Sequence, residues 1–528
     1  MLTYALSSYN NFNKAEFYYK KGLDIEPNDV GCNVYLTEIY LKTNRLEQAL
    51  KLIDNVQNYD SSSIWTLSSL ANAYQRSKYF SEAEKIFYKV ISMDTSKAES
   101  YFQIGRYYFE IGDTIRAESF YEKGISVDTS NSKSYLSLAY FYHNIKKYSD
   151  AEHAYKMTIQ FDSTNRSYYN SLGWFYYSIK QNSKAEEAYK NCIRLDSTYF
   201  LAWINLGILY NETNRYKEGE RVFIKAISID SMRVNSWLNL AVSYSGLGQY
   251  DNMEKACLRA ISLHSKNVKA WLNLGLVYSK LKRYEDAEKA YQKAISFDST
   301  NSVRWGSLGY FYIETKEYSK SEIAFKKAVA LDSTIVYGYN NLAWVYSRMN
   351  RLKDAEMVYL KSISLDSFNT NALNNLGWLY IHAGRYDEAM RNFTKAISID
   401  SAFVNPITLL AFVKYKINLM EDAKIGFLKS LQIKSDFGPA FFGMAYFYTA
   451  NGQHIKAFEY LEQAIQANKE NIILNTENDD VSYQGLCLLH SLQGLAFEML
   501  QQDEDLTRLR VLPEWNILMK KYFPDKMK

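Results

Sequence analysis

The chain of 528 residues carries 62 basic and 58 acidic side chains, a formal net charge of +4, with 47% apolar and 23% charged residues. That balance supplies a core but no concentrated basic face for a nucleic acid, and no apolar run of about 18 residues offers a membrane span. Four cysteines at unrelated spacings give neither a disulfide framework nor a zinc pattern.

From the start, the chain reads as a truncated unit. Met1 falls inside what should be a first helix, and Met1 to Ser8 lack the charged and apolar parts of a signal peptide. A cytoplasmic setting is therefore expected. A periplasmic or secreted one is the alternative if the true start lies upstream.

A tyrosine then recurs every 34 residues: Tyr40, Tyr74, Tyr108, Tyr142, Tyr176, Tyr210, Tyr244, Tyr278, Tyr312, Tyr346 and Tyr380. The series breaks at Lys414 and resumes at Tyr448. Other columns keep the same register. A small residue stands three before each tyrosine (Gly173, Gly207, Ala241, Gly275) and an aromatic seven before it (Tyr169, Trp203, Trp237, Trp271, Trp305). A small residue follows at nine (Ala151, Ala185, Ala287, Ala355) and a large one at thirteen (Tyr155, Tyr189, Phe223, Tyr291, Phe325). Offsets of three, four and seven are helical, so each unit predicts two amphipathic helices that approach closely at the small residues. On this reading the tyrosine is core packing between the two helices of its unit.

Short turns such as Leu247-Gly248-Gln249 separate the two helices, and Asp-Ser or Asp-Thr pairs separate units, as at Asp162-Ser163 and Asp298-Ser299. The aspartates suit helix ends and N-caps. Asn131, Asn165, Asn267, Asn301 and Asn369, at one shared offset, are expected in left-handed turns.

These residues resemble the tetratricopeptide repeat. Trp203, Leu206, Gly207 and Tyr210, then Gly219, Phe223 and Ala226, follow its signature. The resemblance covers residues 1–471, about fourteen units, and departs from the family in keeping an inter-unit proline only at Pro27. It implies an all-α fold: a right-handed superhelical solenoid of tandem helix-turn-helix repeats. Two units lose consensus residues and are expected to be soft points. One holds Met253, Cys257 and His264; the other holds Pro406, Lys414 and Lys434. Residues 472–528 leave the register and read as a divergent helical C-terminal cap, which a stack needs to cover its last apolar face. Asp503 to Trp515 is also similar to the tail that closes some bacterial repeat arrays.

No catalytic constellation emerges. His143, His153, His264, His382, His454 and His490 share no metal-ligand spacing, and Gly246-Leu247-Gly248 is a turn rather than a phosphate loop. The chain is expected to be no enzyme and to need no cofactor or metal. A different pattern lies on the first helix of each unit, which lines the concave face in this family. Asn205, Asn239, Asn273, Ser307, Asn341 and Asn375 recur every 34 residues. An amide donates and accepts, so it can pair with a peptide backbone. Packed helices lie roughly 8–10 Å apart and an extended chain rises about 3.3 Å per residue, which gives one asparagine for about every three peptide residues. The ladder is similar to that of O-linked N-acetylglucosamine transferase repeats, whose catalytic domain has no counterpart here. An aromatic row (Trp174, Trp344, Trp378) would anchor side chains. The Lys, Asn and Arg set of the heat-shock chaperone clamp is not found.

The expected function is a protein–protein interaction scaffold that holds an extended partner segment through Asn205, Asn239, Asn273, Asn341, Asn375, Trp174, Trp344 and Trp378. Alternatives are a structural subunit that assembles, or self-associates, through the convex face or the array ends, and a regulatory repeat partner of a separate enzyme.

Overall fold

The computed structural model describes residues 12–60, 64–475, 500 and 503–522, with side chains at all of these except 13, 54–60 and 468–475. The expected truncation of the first unit falls outside the described residues. The chain forms two compact units, residues 1–213 and 214–528. Every element among the described residues is a helix. The first unit holds α1 (Phe12–Ile25), α2 (Val30–Lys42), α3 (Leu46–Asp60), α4 (Ile64–Arg76), α5 (Phe80–Met93), α6 (Ala98–Glu110), α7 (Thr114–Val127), α8 (Ser132–Asn144), α9 (Tyr148–Phe161), α10 (Arg166–Ser178), α11 (Asn182–Leu195) and α12 (Phe200–Glu212). The second holds α13 (Tyr216–Ile229), α14 (Val234–Gly246), α15 (Tyr250–Leu263), α16 (Val268–Lys280), α17 (Tyr284–Phe297), α18 (Ser302–Glu314), α19 (Tyr318–Leu331), α20 (Val336–Arg348), α21 (Leu352–Leu365), α22 (Thr370–His382), α23 (Tyr386–Ile399), α24 (Val404–Lys416), α25 (Met420–Ile433), α26 (Gly438–Ala450) and α27 (His454–Asn475). A 3-10 turn (Glu504–Leu506), α28 (Thr507–Arg510) and α29 (Pro513–Tyr522) follow.

Even-numbered helices are the first of each pair and odd-numbered ones the second. The columns of small and large residues explain how a pair closes. A β-carbon added at Gly173 would stand 2.6 Å from the Tyr189 ring, and one at Gly377 2.6 Å from the Phe393 ring. The large residue of the second helix is thus seated on the small residue of the first. In α15 the sizes are exchanged. Met253 takes the small position and Cys257 the large one, both buried, so the volume is roughly conserved.

The turns between paired helices are uniform. Residues four after each tyrosine adopt positive φ: Lys78, Lys146, Lys180, Lys282 and Lys316, three asparagines including Asn350, and glycines such as Gly384 at +71°, and Asn418, four after Lys414, does the same. At Gly384 the backbone closes as a Schellman motif, with Arg385 N–H donating to Tyr380 C=O at 2.8 Å and Gly384 N–H to Ile381 C=O at 3.0 Å. This corrects the expectation for Asn131, Asn165, Asn267, Asn301 and Asn369. Their φ values are negative, and each N-caps the helix that follows, accepting from backbone N–H groups two or three residues on. The aspartates before them end the preceding helix instead. Asp298 and Asp332 each accept the N–H and hydroxyl of a threonine two residues later.

The repeating tyrosine does more than fill a core. Its hydroxyl leaves its own pair and donates to a glutamate on the second helix of the pair before: Tyr176 to Glu152, Tyr210 to Glu186 and Tyr380 to Glu356, each at 2.9 Å. A cation closes the group. Arg385 lies 4.2 Å from the Tyr380 ring and donates to Glu356 at 2.8 Å, and Arg351 and Arg283 repeat the arrangement on Glu322 and Glu254. The tyrosine column therefore marks a clasp between neighbouring pairs. The clasp is missing where Lys414 replaces the tyrosine and Met390 the glutamate. Pro406 lies in the first turn of α24, where its absent N–H has no intrahelical acceptor to lose, and the helix keeps the length of its neighbours.

Within each unit the first helices of successive pairs touch one another, while each second helix chiefly meets the first helix of the next pair. The first helices therefore form the inner face of each stack.

Candidate peptide-binding face

The sequence-predicted site residues lie on these first helices, and the structure treats them unequally. In the first unit Asn205, on α12, is half-buried and donates to Asn170 Oδ1 on α10 at 3.0 Å, so this amide already spans two helices. Trp174 on α10 is exposed and sits in a polar and aromatic cluster. The His143 ring lies 4.8 Å away, and His143 Nε2 shares a 2.9 Å hydrogen bond with Ser178 Oγ. Burial lowers the pKa of His143, which favours the neutral ring.

In the second unit Asn239 on α14 and Asn273 on α16 are half-buried, while Asn341 on α20 and Asn375 on α22 are only 5% and 4% exposed. The residue before each differs as well. Asn340 and Asn374 precede them where the units of Asn205, Asn239 and Asn273 carry Ile204, Leu238 and Leu272, and Asn340 Oδ1 accepts the Ser362 hydroxyl at 2.7 Å. On α22 the pairing is incomplete: Asn374 Nδ2 reaches Asn375 Oδ1 at 3.4 Å, and Asn374 Oδ1, Asn375 Nδ2 and Trp378 Nε1 are buried without partners. Trp344 and Trp378 are half-buried. Trp344 lies 6.0 Å from Tyr318 on the preceding second helix, and Trp378 lies 4.0 Å from the His382 ring. These two tryptophans thus combine packing with a partly open face.

The aromatic column seven before the tyrosine has a structural task. Trp203, Trp237, Trp271 and Trp305 each donate their indole N–H to the carbonyl of the serine six residues earlier, at 2.8–2.9 Å, and tie down the inter-pair turn.

The segment after residue 502 returns to the inner face at α24 and α26. Asp505 pairs with Lys416 Nζ at 2.7 Å and accepts the Tyr415 hydroxyl at 3.2 Å, while Asp503 accepts the Tyr446 hydroxyl. Leu506, Leu509, Trp515 and Met519 are buried together with Phe442, Ala457 and Leu461 of α26 and α27. Burial raises the Asp503 pKa above its usual value, against the pull of the Tyr446 hydrogen bond.

Tetratricopeptide repeat profiles match residues 98–131, 167–199, 201–231, 234–267, 304–335, 336–369 and 438–471, further ones 268–301 and 370–403, and others 7–69 and 63–93. The chain belongs to the tetratricopeptide repeat family. The matches span well over half of it and pass over 132–166 and 404–437. No curated protein matches the chain significantly. Among solved structures it is similar to yeast Tom70, at 16% identity over 79% of this chain and 96% of that one, with a TM-score of 0.43. It is also similar to the Cut9-Hcn1 hetero-tetramer of the APC/C, at 14% identity over 90% and 94%, TM-score 0.38. MamA aligns with a shorter stretch, at 25% identity over 31% of this chain and 95% of that one, TM-score 0.28. As a tetratricopeptide repeat protein the chain is a protein-interaction scaffold. Among the described residues no His, Cys, Asp or Glu cluster could hold a metal ion, and no helix is long and apolar enough to cross a membrane.

Proposed function

We propose that this tetratricopeptide repeat protein is a non-catalytic scaffold whose inner face holds an extended segment of a partner protein, with residues 472–528 closing the C-terminal end of the array. The observation that carries the reading is the regular placement of amide and aromatic side chains on successive first helices. Asn239, Asn273, Asn341 and Asn375 recur in the second unit, Asn205 holds the same position in the first, and Trp174, Trp344 and Trp378 stand beside them. In the second unit backbone pairing would begin at the half-buried Asn239 and Asn273, and in the first the half-buried Asn205 offers the same amide. Asn341 and Asn375 would join by turning outward.

The test is cross-linking of the full chain in its native extract, with mass spectrometry of the linked peptides. Wild type should link one partner segment to the inner face. Asn205→Ala with Asn239→Ala and Asn273→Ala should lose those links while helicity is unchanged. Links retained in the triple variant would remove the asparagine role. Links confined to second helices would favour assembly through the outer face, where Ile323, Met357 and Ile425 are exposed.

A further inference from the structure

We propose that the outer face of α19, α21, α23 and α25 binds an acidic amphipathic helix of a partner protein. The site is distinct from the inner face and independent of the peptide-binding reading above.

One column of the second helices switches character along the second unit. Eleven residues after the tyrosine position, α13, α15 and α17 carry the exposed cations Arg221, Lys255 and Lys289. From α19 the same column reads Ile323, Met357, Arg391 and Ile425, and its three apolar side chains are 67%, 64% and 62% exposed. Leu360 and Leu428, one turn after Met357 and Ile425, are exposed as well. On α23 the strip passes through an open groove lined by Met390, Arg391 and Thr394. Single exposed apolar residues are ordinary, but a solvent-facing column that turns from charged to apolar on neighbouring helices builds a patch of the kind that marks an interaction site.

Charge then selects the occupant. Four residues after each member of this column stands an exposed lysine: Lys327, Lys361, Lys395 and Lys429. Residues i and i+4 of a helix share a face one turn apart, so the lysine row runs beside the apolar strip. Among the described residues none of the four lysines has an ion-pair partner, whereas Arg351 and Arg385 are held in the clasp. Apart from the clasp glutamates Glu322 and Glu356, the acids of these helices lie in the first turns of α21, α23 and α25. They stand on the other side of the strip from the lysines, where Asp354 and Glu388 are paired with Arg351 and Arg385.

A matching partner presents an apolar row and an anionic row side by side. An amphipathic helix does so with positions three and four apart. About twenty helical residues span about 30 Å, enough to cross several helices roughly 10 Å apart. The apolar row of the partner would lie on Ile323, Met357 and Ile425, and its carboxylates would lie over the lysines.

The probe is a fluorescein-labelled helix of about twenty residues repeating Leu-Glu-Ala-Ala-Leu-Glu-Ala, read by anisotropy on the full chain. Two control peptides carry Gln for Glu or Ser for Leu. The parent peptide should bind about tenfold tighter than either control at low salt, and high salt should erase its advantage over the Gln form. Lys361→Glu with Lys395→Glu should remove the preference for Glu over Gln. Ile323→Ser with Met357→Ser should weaken both forms. Circular dichroism should be unchanged in each pair, because these side chains are exposed; should either pair misfold, Lys361→Gln with Lys395→Gln and Met357→Gln are read instead. Asn239→Ala with Asn273→Ala should leave binding intact. Loss of binding in that inner-face pair alone overturns the outer site and leaves the groove reading standing. A Ser peptide that binds as tightly as the parent makes the row a plain polyanion site and overturns the amphipathic partner. A wild-type mass that rises with concentration, and does not in the Ile323→Ser, Met357→Ser variant, assigns the strip to a second copy of this chain and overturns the proposal. So does binding of no peptide.

Discussion

The clasp between pairs can be tested at Glu356. Its carboxylate accepts the Tyr380 hydroxyl at 2.9 Å and Arg385 Nη1 at 2.8 Å, and these contacts hold its pKa below the usual glutamate value. A hydrogen bond to a charged group is worth about 1.5–3 kcal/mol, and an exposed ion pair about 0–1 kcal/mol. Glu356 and Arg385 side chains are 26% and 39% exposed, so the group falls between those limits. Glu356→Ala should therefore cost about 1–2 kcal/mol and Tyr380→Phe about 1 kcal/mol. The double variant should cost less than the sum, with a coupling of about 0.5–1.5 kcal/mol, because each single change already removes the shared bond. Arg385→Ala is a poorer probe, since Arg385 also holds Glu388. Urea titration gives the energies. Amide exchange locates them, because neighbours in a stack couple mainly to each other, so protection should fall in α21, α22 and α23 before α14 and α15. A Tyr380→Phe variant within about 0.3 kcal/mol of wild type, or a coupling near zero, would refute the clasp as a stabilising device.

Three further outcomes follow from the same geometry. Met390→Glu with Lys414→Tyr rebuilds the missing clasp and should raise the urea midpoint by the equivalent of about 0.5–1 kcal/mol, with neither single change doing so. Gly377→Val, whose side chain would enter the Phe393 ring, should cost about 1–3 kcal/mol, whereas Gly377→Ala should cost less because Ala343 occupies the same register one pair earlier. For pH, the pKa values of Asp94, Asp196, Asp298 and Asp332 are lowered, first by the hydroxyl and then by the N–H two residues on. A lowered folded value gives stability that is present above the unfolded pKa of about 3.9 and lost as pH falls through the folded values, so the melting temperature should decline below about pH 4. Asp503 has the opposite sign. Its raised pKa makes its contribution fullest below the unfolded value and smaller as pH rises, so acid should not be what releases the tail at this residue.

The sequence made the helix pairs legible because a packing period is a sequence period. Gly173 and Tyr189, sixteen residues apart, recur as partners in every unit that keeps both. The left-handed turn was misplaced for a chemical reason. Asparagine tolerates positive φ, yet here it caps helices, and Lys146, Lys180 and Lys282 bear the strained turn because the Schellman hydrogen bonds impose it. The clasp had a visible signal, a glutamate ten residues after the tyrosine from Glu84 through Glu356 in nine successive units. Its partner, however, lies in the following unit, and aligning units hides contacts between them. Asn341 and Asn375 are buried where Asn205, Asn239 and Asn273 are half-buried, a difference between units that a ladder read in one column overlooks. The docking of Asp505 on Lys416 spans 89 residues and breaks the period altogether, so no repeat-based reading reaches it.

Residues that repeat most faithfully in this chain are consumed by its construction: tyrosine, glutamate and cation in the clasp, tryptophan and serine at the turn. What a partner could distinguish is then left to positions that vary along the inner face. In the first unit that face offers Trp174, His143 and Ser178, with Glu110 and Glu212 at the ends of α6 and α12. In the second, α20, α22, α24 and α26 carry no aspartate or glutamate, and the acids on the face come from the returning tail, Asp503 and Asp505. A single ligand chemistry matched to a uniform ladder would not need this change. The variation gives each unit an inner face of its own character, and at α24 and α26 of the second the chain's own Asp505 and Asp503 already occupy it.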